Sequence, residues 1–283
     1  MTLPVFFAPE MVANPVSFSP SAAKPREVVE HWRALGLPVD VRRPEPVTRR
    51  QLALAHDARY VREVLSGARD NGFGDRSSQV AASLPWTTGA MLSAARHAVR
   101  TGGTACAPCS GFHHAHWDHN YGFCTFNGLV VTALALREEG FGPVGILDCD
   151  MHYGDGTEDI LERIEDCSSV RHFTAGEAYD EPSQAEAFLG ELPGIVRSMK
   201  GCSVLLYQAG ADPHVGDPLG GWLTTEQLQR RDEIVFREAR VLGLPVAWNL
   251  AGGYQRDAKG GIGPVLEIHA NTVRAWHDLV VSG

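Results

Sequence analysis

Four short stretches of this 283-residue chain concentrate side chains able to bind a metal or move a proton, and each follows an apolar run. After Val144-Gly145-Ile146-Leu147 stand Asp148, Asp150 and His152. A strand period of two places these three on one face if the strand runs that far, with Cys149 and Met151 on the other. A single carboxylate there would be a helix cap or a surface ion pair. Two Asp and one His at i, i+2 and i+4 require a shared purpose, and oxygen plus imidazole donors suit a divalent metal. After Val204-Leu205-Leu206-Tyr207-Gln208 comes Ala209-Gly210-Ala211-Asp212. Taken alone Asp212 is an ordinary N-cap or turn residue. Joined to the first group it completes an Asp/His/Asp set whose fourth position stays open, the arrangement of catalytic rather than structural zinc.

The third stretch is Ser110-Gly111-Phe112-His113-His114, a tandem histidine pair in a glycine-containing loop. Imidazole transfers protons at neutral pH, and a carboxylate partner fixes its tautomer; Asp148 and Asp155 are available. The fourth is Leu250-Ala251-Gly252-Gly253-Tyr254, where a phenol could donate to a developing oxyanion, although an isolated buried tyrosine is commonplace. Other signals carry less. Cys106-Ala107-Pro108-Cys109 has redox spacing but lies inside a strand candidate without a second pair, so it reads as packing. His116 and His119 read as a solvated rim. Gly154-Asp155-Gly156 lacks the Lys-Ser/Thr of a phosphate loop.

Elements that could position these stretches alternate along the chain. Strand candidates are 4–8, 38–42, 104–109, 144–148, 170–173, 204–208 and 246–250, with helical periods between them, the pattern of parallel strands joined by crossover helices. Helices are expected at 25–35, at 90–100 after a Thr87-Thr88 cap, and at 126–139, 157–164, 184–199 and 225–242. The last opens with the capping-box spacing of Thr224 and Gln227 and stops at Gly243. No repeat or linker divides the chain, which implies a single domain over residues 1–283. In an open parallel sheet, ligands bind beyond the carboxyl ends of the strands, where all four polar stretches lie.

Composition sets outer bounds. Hydrophobic residues make up 44%, enough for a full core, and the net charge of −9 without a basic run argues against a nucleic-acid partner. No apolar run approaches membrane-spanning length and no basic leader opens the chain, so a cytoplasmic protein without membrane association is expected. Six cysteines are too few for a disulfide scaffold of this length, so reduced thiols are expected.

Ser110-Gly111-Phe112-His113-His114-Ala115, Gly122-Phe123-Cys124, Asp148-Cys149-Asp150-Met151-His152-Tyr153-Gly154-Asp155-Gly156-Thr157, Ala209-Gly210-Ala211-Asp212 and Gly252-Gly253-Tyr254 together resemble the ordered motifs of the histone deacetylase family. The stretch from Asp212 through Gly221, with Arg231-Asp232, is most similar to class IV members and their bacterial relatives. The resemblance implies the arginase/deacetylase fold, a parallel α/β sheet of about eight strands flanked by helices. It implies zinc on Asp150, His152 and Asp212, His113 and His114 as the paired histidines oriented by Asp148 and Asp155, and Tyr254 polarising the substrate carbonyl. Phe123 with Gly122 would line the acyl tunnel, and a structural potassium ion (K+) would sit near Asp148. The family's longer loop after the strand at Val170 is replaced by 174–182, which leaves the wall opposite Phe123 open.

The expected activity is hydrolysis of an N-acyl amine such as acyl-lysine by metal-activated water, the acyl group being acetyl or longer. Acetylpolyamines and other small amides are the alternative substrates. A two-metal ureohydrolase of the same fold would need Asp where Gly154 stands. A catalytically silent acyl-lysine binding module is disfavoured because every catalytic position is filled.

Overall fold

The computed structural model describes residues 1–164 and 167–281. Seven strands, β1 (Leu3–Phe6), β2 (Val39–Arg42), β3 (Thr104–Ala107), β4 (Val144–Asp148), β5 (Val170–Thr174), β6 (Val204–Gln208) and β7 (Val246–Asn249), form one parallel sheet in the order β2-β1-β3-β7-β6-β4-β5. Side-chain alternation along the strands builds two cores. In β4, Val144 and Ile146 face one core and Leu147 the other; in β6, Val204 and Leu206 oppose Leu205 and Tyr207. Because both faces are covered, the central strands read as unbroken apolar runs.

One face packs against α1 (Lys24–Ala34), α7 (Ala185–Ser198), α8 (Thr225–Leu242) and α9 (Gly263–Val281) through residues such as Trp32, Phe188, Phe236 and Trp276. The other packs against α2 (Arg49–Leu52), α3 (Ala58–Leu65), α4 (Ser78–Thr101), α5 (Gly128–Glu138) and α6 (Asp155–Glu162) through Leu52, Tyr60, Met91, Leu129 and Ile160. No helix among the described residues is long and apolar enough to cross a membrane.

All seven apolar runs are strands, with ends within two residues of those expected. An eighth is not formed among the described residues. After β5 the chain passes through single 3₁₀ turns at Ala175–Glu177 and Pro182–Gln184 directly into α7, so β5 remains an edge strand. The helix expected to start at Ala90 is corrected. It begins at Ser78 and runs through Pro85, and its cap is Ser77, whose hydroxyl accepts the Val80 N–H at 3.3 Å. A buried face with Val80, Met91 and Leu92 outweighs the roughly 3 kcal/mol cost of an internal proline. The sequence reading passed over α9, whose Gly263-Pro264 opening resembles a turn, yet proline is tolerated in a helix's first turn.

Buried polar side chains tie the loops together, and His56 shows the energetic consequence. It is fully buried; its Nε2 accepts the Asn127 N–H at 2.8 Å, which leaves Nδ1–H to donate to the His116 carbonyl at 2.8 Å. This neutral tautomer has no room for a second proton, and burial pushes the pKa from 6.5 down to about 4. Below pH 6.5 the unfolded chain takes up a proton that the folded chain refuses, so this contribution to stability is complete above 6.5 and is lost as the pH falls to about 4. The loss is about 3 kcal/mol. The stability gap between wild type and His56→Gln in urea denaturation should therefore shrink by that amount from pH 7 to pH 4; a constant gap contradicts the assignment.

Candidate metal centre and catalytic pocket

The four polar strand ends belong to β3, β7, β6 and β4, consecutive neighbours in the sheet, so they meet at one carboxyl edge. β4 stops at Asp148, the end expected for it, so the continuation to His152 on which a shared strand face depended is not formed. Two successive turns made by the aspartates themselves replace it. Asp148 Oδ1 accepts the Asp150 N–H at 3.1 Å, and Asp150 Oδ1 accepts the His152 N–H at 3.0 Å. Each carboxylate thus folds back the backbone two residues ahead of it.

Asp150, His152 and Asp212 each bring a donor atom within 4.8 Å of the others, the only such trio among the described residues. Asp212 Oδ2 is buried and makes no hydrogen bond, although His152 Nδ1 stands 3.2 Å away. An unsatisfied oxygen in a buried carboxylate is costly unless a cation completes it, and this donor set suits zinc with one position free. Gly252 makes the space: its N–H donates to Asp150 Oδ2 at 2.8 Å, and a Cβ there would lie 2.1 Å from Asp212 Oδ2. Burial and the neighbouring Asp150 charge raise the Asp212 pKa, whereas His113 and His152 hold Asp150 low against its own burial. The Asp150 hydrogen bond and the Asp212 oxygen beside the ring hold the His152 pKa up, at about 11.

The histidine pair sits beside the trio, ring centroids 4.1 Å apart. His113 Nδ1 lies 2.7 Å from Asp148 Oδ2, and His114 Nδ1 lies 2.6 Å from Asp155 Oδ1. Burial lowers both histidines, but for His113 the charges of Asp148 and Asp150 win and raise it to about 9. For His114, burial and the adjacent His113 prevail over Asp155 and lower it. The two environments push the pair apart, the usual way one site keeps both an acid and a base. Gly122, at φ +52°, is the other glycine that this site demands, because a Cβ would stand 2.4 Å from His114 Cδ2. Phe123 and Ala251 hold positive φ without being glycine, backbone strain of the kind that collects at functional sites.

His114, Gly122, Phe123, His152, Asp155 and Tyr254 line one open pocket. Asp148, Asp150, Asp212 and His113 are buried behind it, His113 against the lining His114, and Asp150 and Asp212 against the lining His152. Burial, with the charges of Asp212 and Asp150, raises the Tyr254 phenol well above its usual value, so it remains a proton-bearing donor. Cys106, Cys109, Cys124, Cys149 and Cys202 carry free buried thiols, in keeping with the packing reading of Cys106 and Cys109. His116 and His119 stack on each other, 4.2 Å between centroids, with His116 beside Asp155 and Asp159.

Three supporting residues escaped the sequence reading. Asp217 Oδ2 accepts the Tyr254 N–H at 2.7 Å and Oδ1 the Leu219 N–H at 3.0 Å. Gln208 donates to Asp148 Oδ1 at 2.8 Å; an amide ending the apolar run 204–207 was the available signal. Lys24, fully buried in α1, donates to the Ala251 carbonyl at 2.6 Å, and no local spacing announces it. Both Asp148 carboxylate oxygens are thus engaged, and the side chains here add nothing to the expected potassium.

Residues 20–179, more than half of the chain, match the family model described as the histone deacetylase domain. The chain belongs to the histone deacetylase family. An uncharacterized protein of Picosynechococcus is 29% identical to it over 249 residues, 78% of this chain and 80% of that protein. A probable deacetylase of Methanothermobacter thermautotrophicus is 28% identical over 201 residues, 61% and 59% of the two chains. Acetylpolyamine amidohydrolase 2 of Pseudomonas aeruginosa is 47% identical over 49 residues, 17% and 14%. The fold is that of the HDA15 HD domain (TM-score 0.77, 18% identity, 100% of this chain and 91% of that one). It is also that of an acetylpolyamine aminohydrolase from Burkholderia pseudomallei (TM-score 0.73, 18% identity, 98% and 99%). This histone deacetylase-family amidohydrolase thus joins a family that depends on zinc in general, and its trio offers the matching donors.

Proposed function

We propose that residues 1–283 form one catalytic domain that uses a single zinc ion, held by Asp150, His152 and Asp212, to hydrolyse the amide of an N-acyl amine, acyl-lysine first among them. The observation that carries this reading is the trio, its two aspartates buried and its His152 lining the pocket, with an unsatisfied Asp212 oxygen, beside His114 and Tyr254 in that same pocket. When bound, zinc would supply Lewis-acid polarisation of the carbonyl and make water a stronger acid.

The chain's own residues divide the proton work. His114, kept neutral by burial and by its charged neighbour, takes a proton from the attacking water while Asp155 steadies the opposite ring nitrogen. Tyr254 O–H donates to the carbonyl oxygen as charge builds there. His113, protonated and held by Asp148, adds a fixed positive charge behind the pair. His114 then returns its proton to the amine nitrogen as the C–N bond breaks, giving a carboxylic acid and a free amine.

Two features of the mouth bear on the substrate. The three exposed aromatic side chains among the described residues, Phe18, Tyr121 and Tyr153, all stand at this opening; Phe18 meets Phe123 edge-on at 5.2 Å. Such a collar suits a peptide surface around an acyl-lysine. The acetylpolyamine alternative is favoured by Asp180, which lines the same opening and whose carboxylate has no hydrogen-bond or ionic partner among the described residues, and by the lack of Lys or Arg among the lining residues described. The wall opposite Phe123 carries Gly176, Leu219 and Met151, while Tyr179 turns inward to stack on Trp222.

That wall leaves room for acyl chains longer than acetyl. Each added methylene contributes up to about 0.8 kcal/mol, so four could raise kcat/KM by about two orders of magnitude. A panel of one lysine peptide carrying acetyl, butyryl, octanoyl and myristoyl groups, run beside N-acetylputrescine, tests both points. The expected result is a rise from acetyl to octanoyl with the peptide preferred. A steady fall from acetyl onward contradicts the open wall, and a preference for the polyamine moves the substrate assignment to the alternative.

A further inference from the structure

On the far side of the sheet end from the pocket, α8 buries a charged pair that the mechanism above does not use. Arg231 and Asp232 are 0% and 1% exposed. Arg231 Nη1 donates to two main-chain carbonyls, Gly210 at 2.7 Å and Cys149 at 3.2 Å, while Nε donates to Asp232 Oδ1 at 2.9 Å. Asp232 is in turn held by the hydroxyls of Tyr207 in β6 and Thr272 in α9.

The two carbonyls are significant by position. Cys149 immediately precedes Asp150, and Gly210 lies two residues before Asp212. The ladder between β4 and β6 ends with the Cys149 N–H donating to the Gln208 carbonyl at 3.0 Å. Beyond that rung no backbone hydrogen bond joins the two segments among the described residues, although Gly210 stays close against Asp150, and a single guanidinium nitrogen bridges their carbonyls where the sheet no longer does. Asp150 and Asp212 are both buried on the pocket side, and each brings an oxygen within 4.8 Å of the other and of a His152 nitrogen. A link across the backs of their segments holds the separation that their carboxylates need.

We infer that Arg231 is a positioning residue for the metal centre: by bridging the Cys149 and Gly210 carbonyls it sets the spacing of Asp150 and Asp212 and thereby raises zinc affinity. This rests on the reading of the trio as zinc ligands. Residues outside the ligand set that orient it commonly change metal affinity by about 10–100-fold, and the bridge requires a guanidinium that also reaches Asp232.

The test is competitive titration of zinc against a chromophoric chelator on metal-depleted wild type, Arg231→Lys and Tyr207→Phe, with thermal unfolding of each metal-free protein alongside. Arg231→Lys keeps the charge beside Asp232 but cannot span the same three acceptors. Tyr207→Phe loosens Asp232 without touching the carbonyls. The expected result is a zinc Kd raised about 10–100-fold in Arg231→Lys and unchanged in Tyr207→Phe, whatever the two do to Tm. Should Arg231→Lys not fold, the double variant Arg231→Gln/Asp232→Asn, which buries no lone charge, replaces it with the same expectation. Wild-type affinity in the Arg231 variant, or Kd changes that merely follow the loss of Tm in both variants, overturns the inference. Wild type that binds no zinc overturns the reading of the trio instead.

Discussion

Asp212→Asn is expected to lower kcat/KM on an acyl-lysine peptide by at least about 10⁴-fold, together with loss of stoichiometric zinc. The side chain is fully buried against Gly252, so asparagine fits the space and the fold should persist. The change is one of charge. Asp212 and Asp150 together supply two negative charges that balance a divalent cation in a buried site, and a neutral amide at 212 leaves one, while its N–H₂ can point a donor where an acceptor is needed. Circular dichroism should show a folded protein, and elemental analysis of enzyme purified without chelator should show well under one zinc per chain. Full zinc and full turnover in this variant would place the metal elsewhere.

Tyr254→Phe is expected to behave differently: kcat falls about 10²–10³-fold, KM changes little, and zinc content is unchanged. The reason is local. The Tyr254 N–H is fixed by Asp217 at 2.7 Å, so the backbone turn survives removal of the hydroxyl. The phenol itself, kept neutral by burial, is lost only as a donor to the oxygen on which charge develops. An interaction made only in the transition state lowers kcat and kcat/KM together. Equal loss of zinc and turnover would show that the tyrosine supports the metal rather than the carbonyl, and unaltered kcat would remove it from the chemistry.

These two residues also show what could be read from the chain and what could not. Asp212 and Tyr254 were visible because each follows an apolar run that can only be a buried strand, and β6 and β7 begin where those runs do. That β3, β7, β6 and β4 are adjacent, which brings the four ends together, is a matter of strand order and has no local signal. How far the chain stays extended beyond Asp148 was left open by the sequence, because alternating polar residues satisfy a period of two equally well when aspartates cap their own backbone. Pro85 hid the first turns of α4 because its cost is local and the burial that offsets it is not. Lys24, Asp217 and Arg231 act through main-chain groups far away in sequence, Ala251, Tyr254, Cys149 and Gly210, so their roles follow only from the folded chain.

The most direct test of the central claim is zinc titration of metal-depleted protein while acyl release from a fluorogenic acetyl-lysine peptide is followed. Activity should be absent at the start, rise in proportion to added zinc, and break at one ion per chain, with no such rise in Asp212→Asn. Turnover that is already complete in the metal-depleted chain, or that appears only with two manganese ions per chain, would contradict a single zinc centre at Asp150, His152 and Asp212.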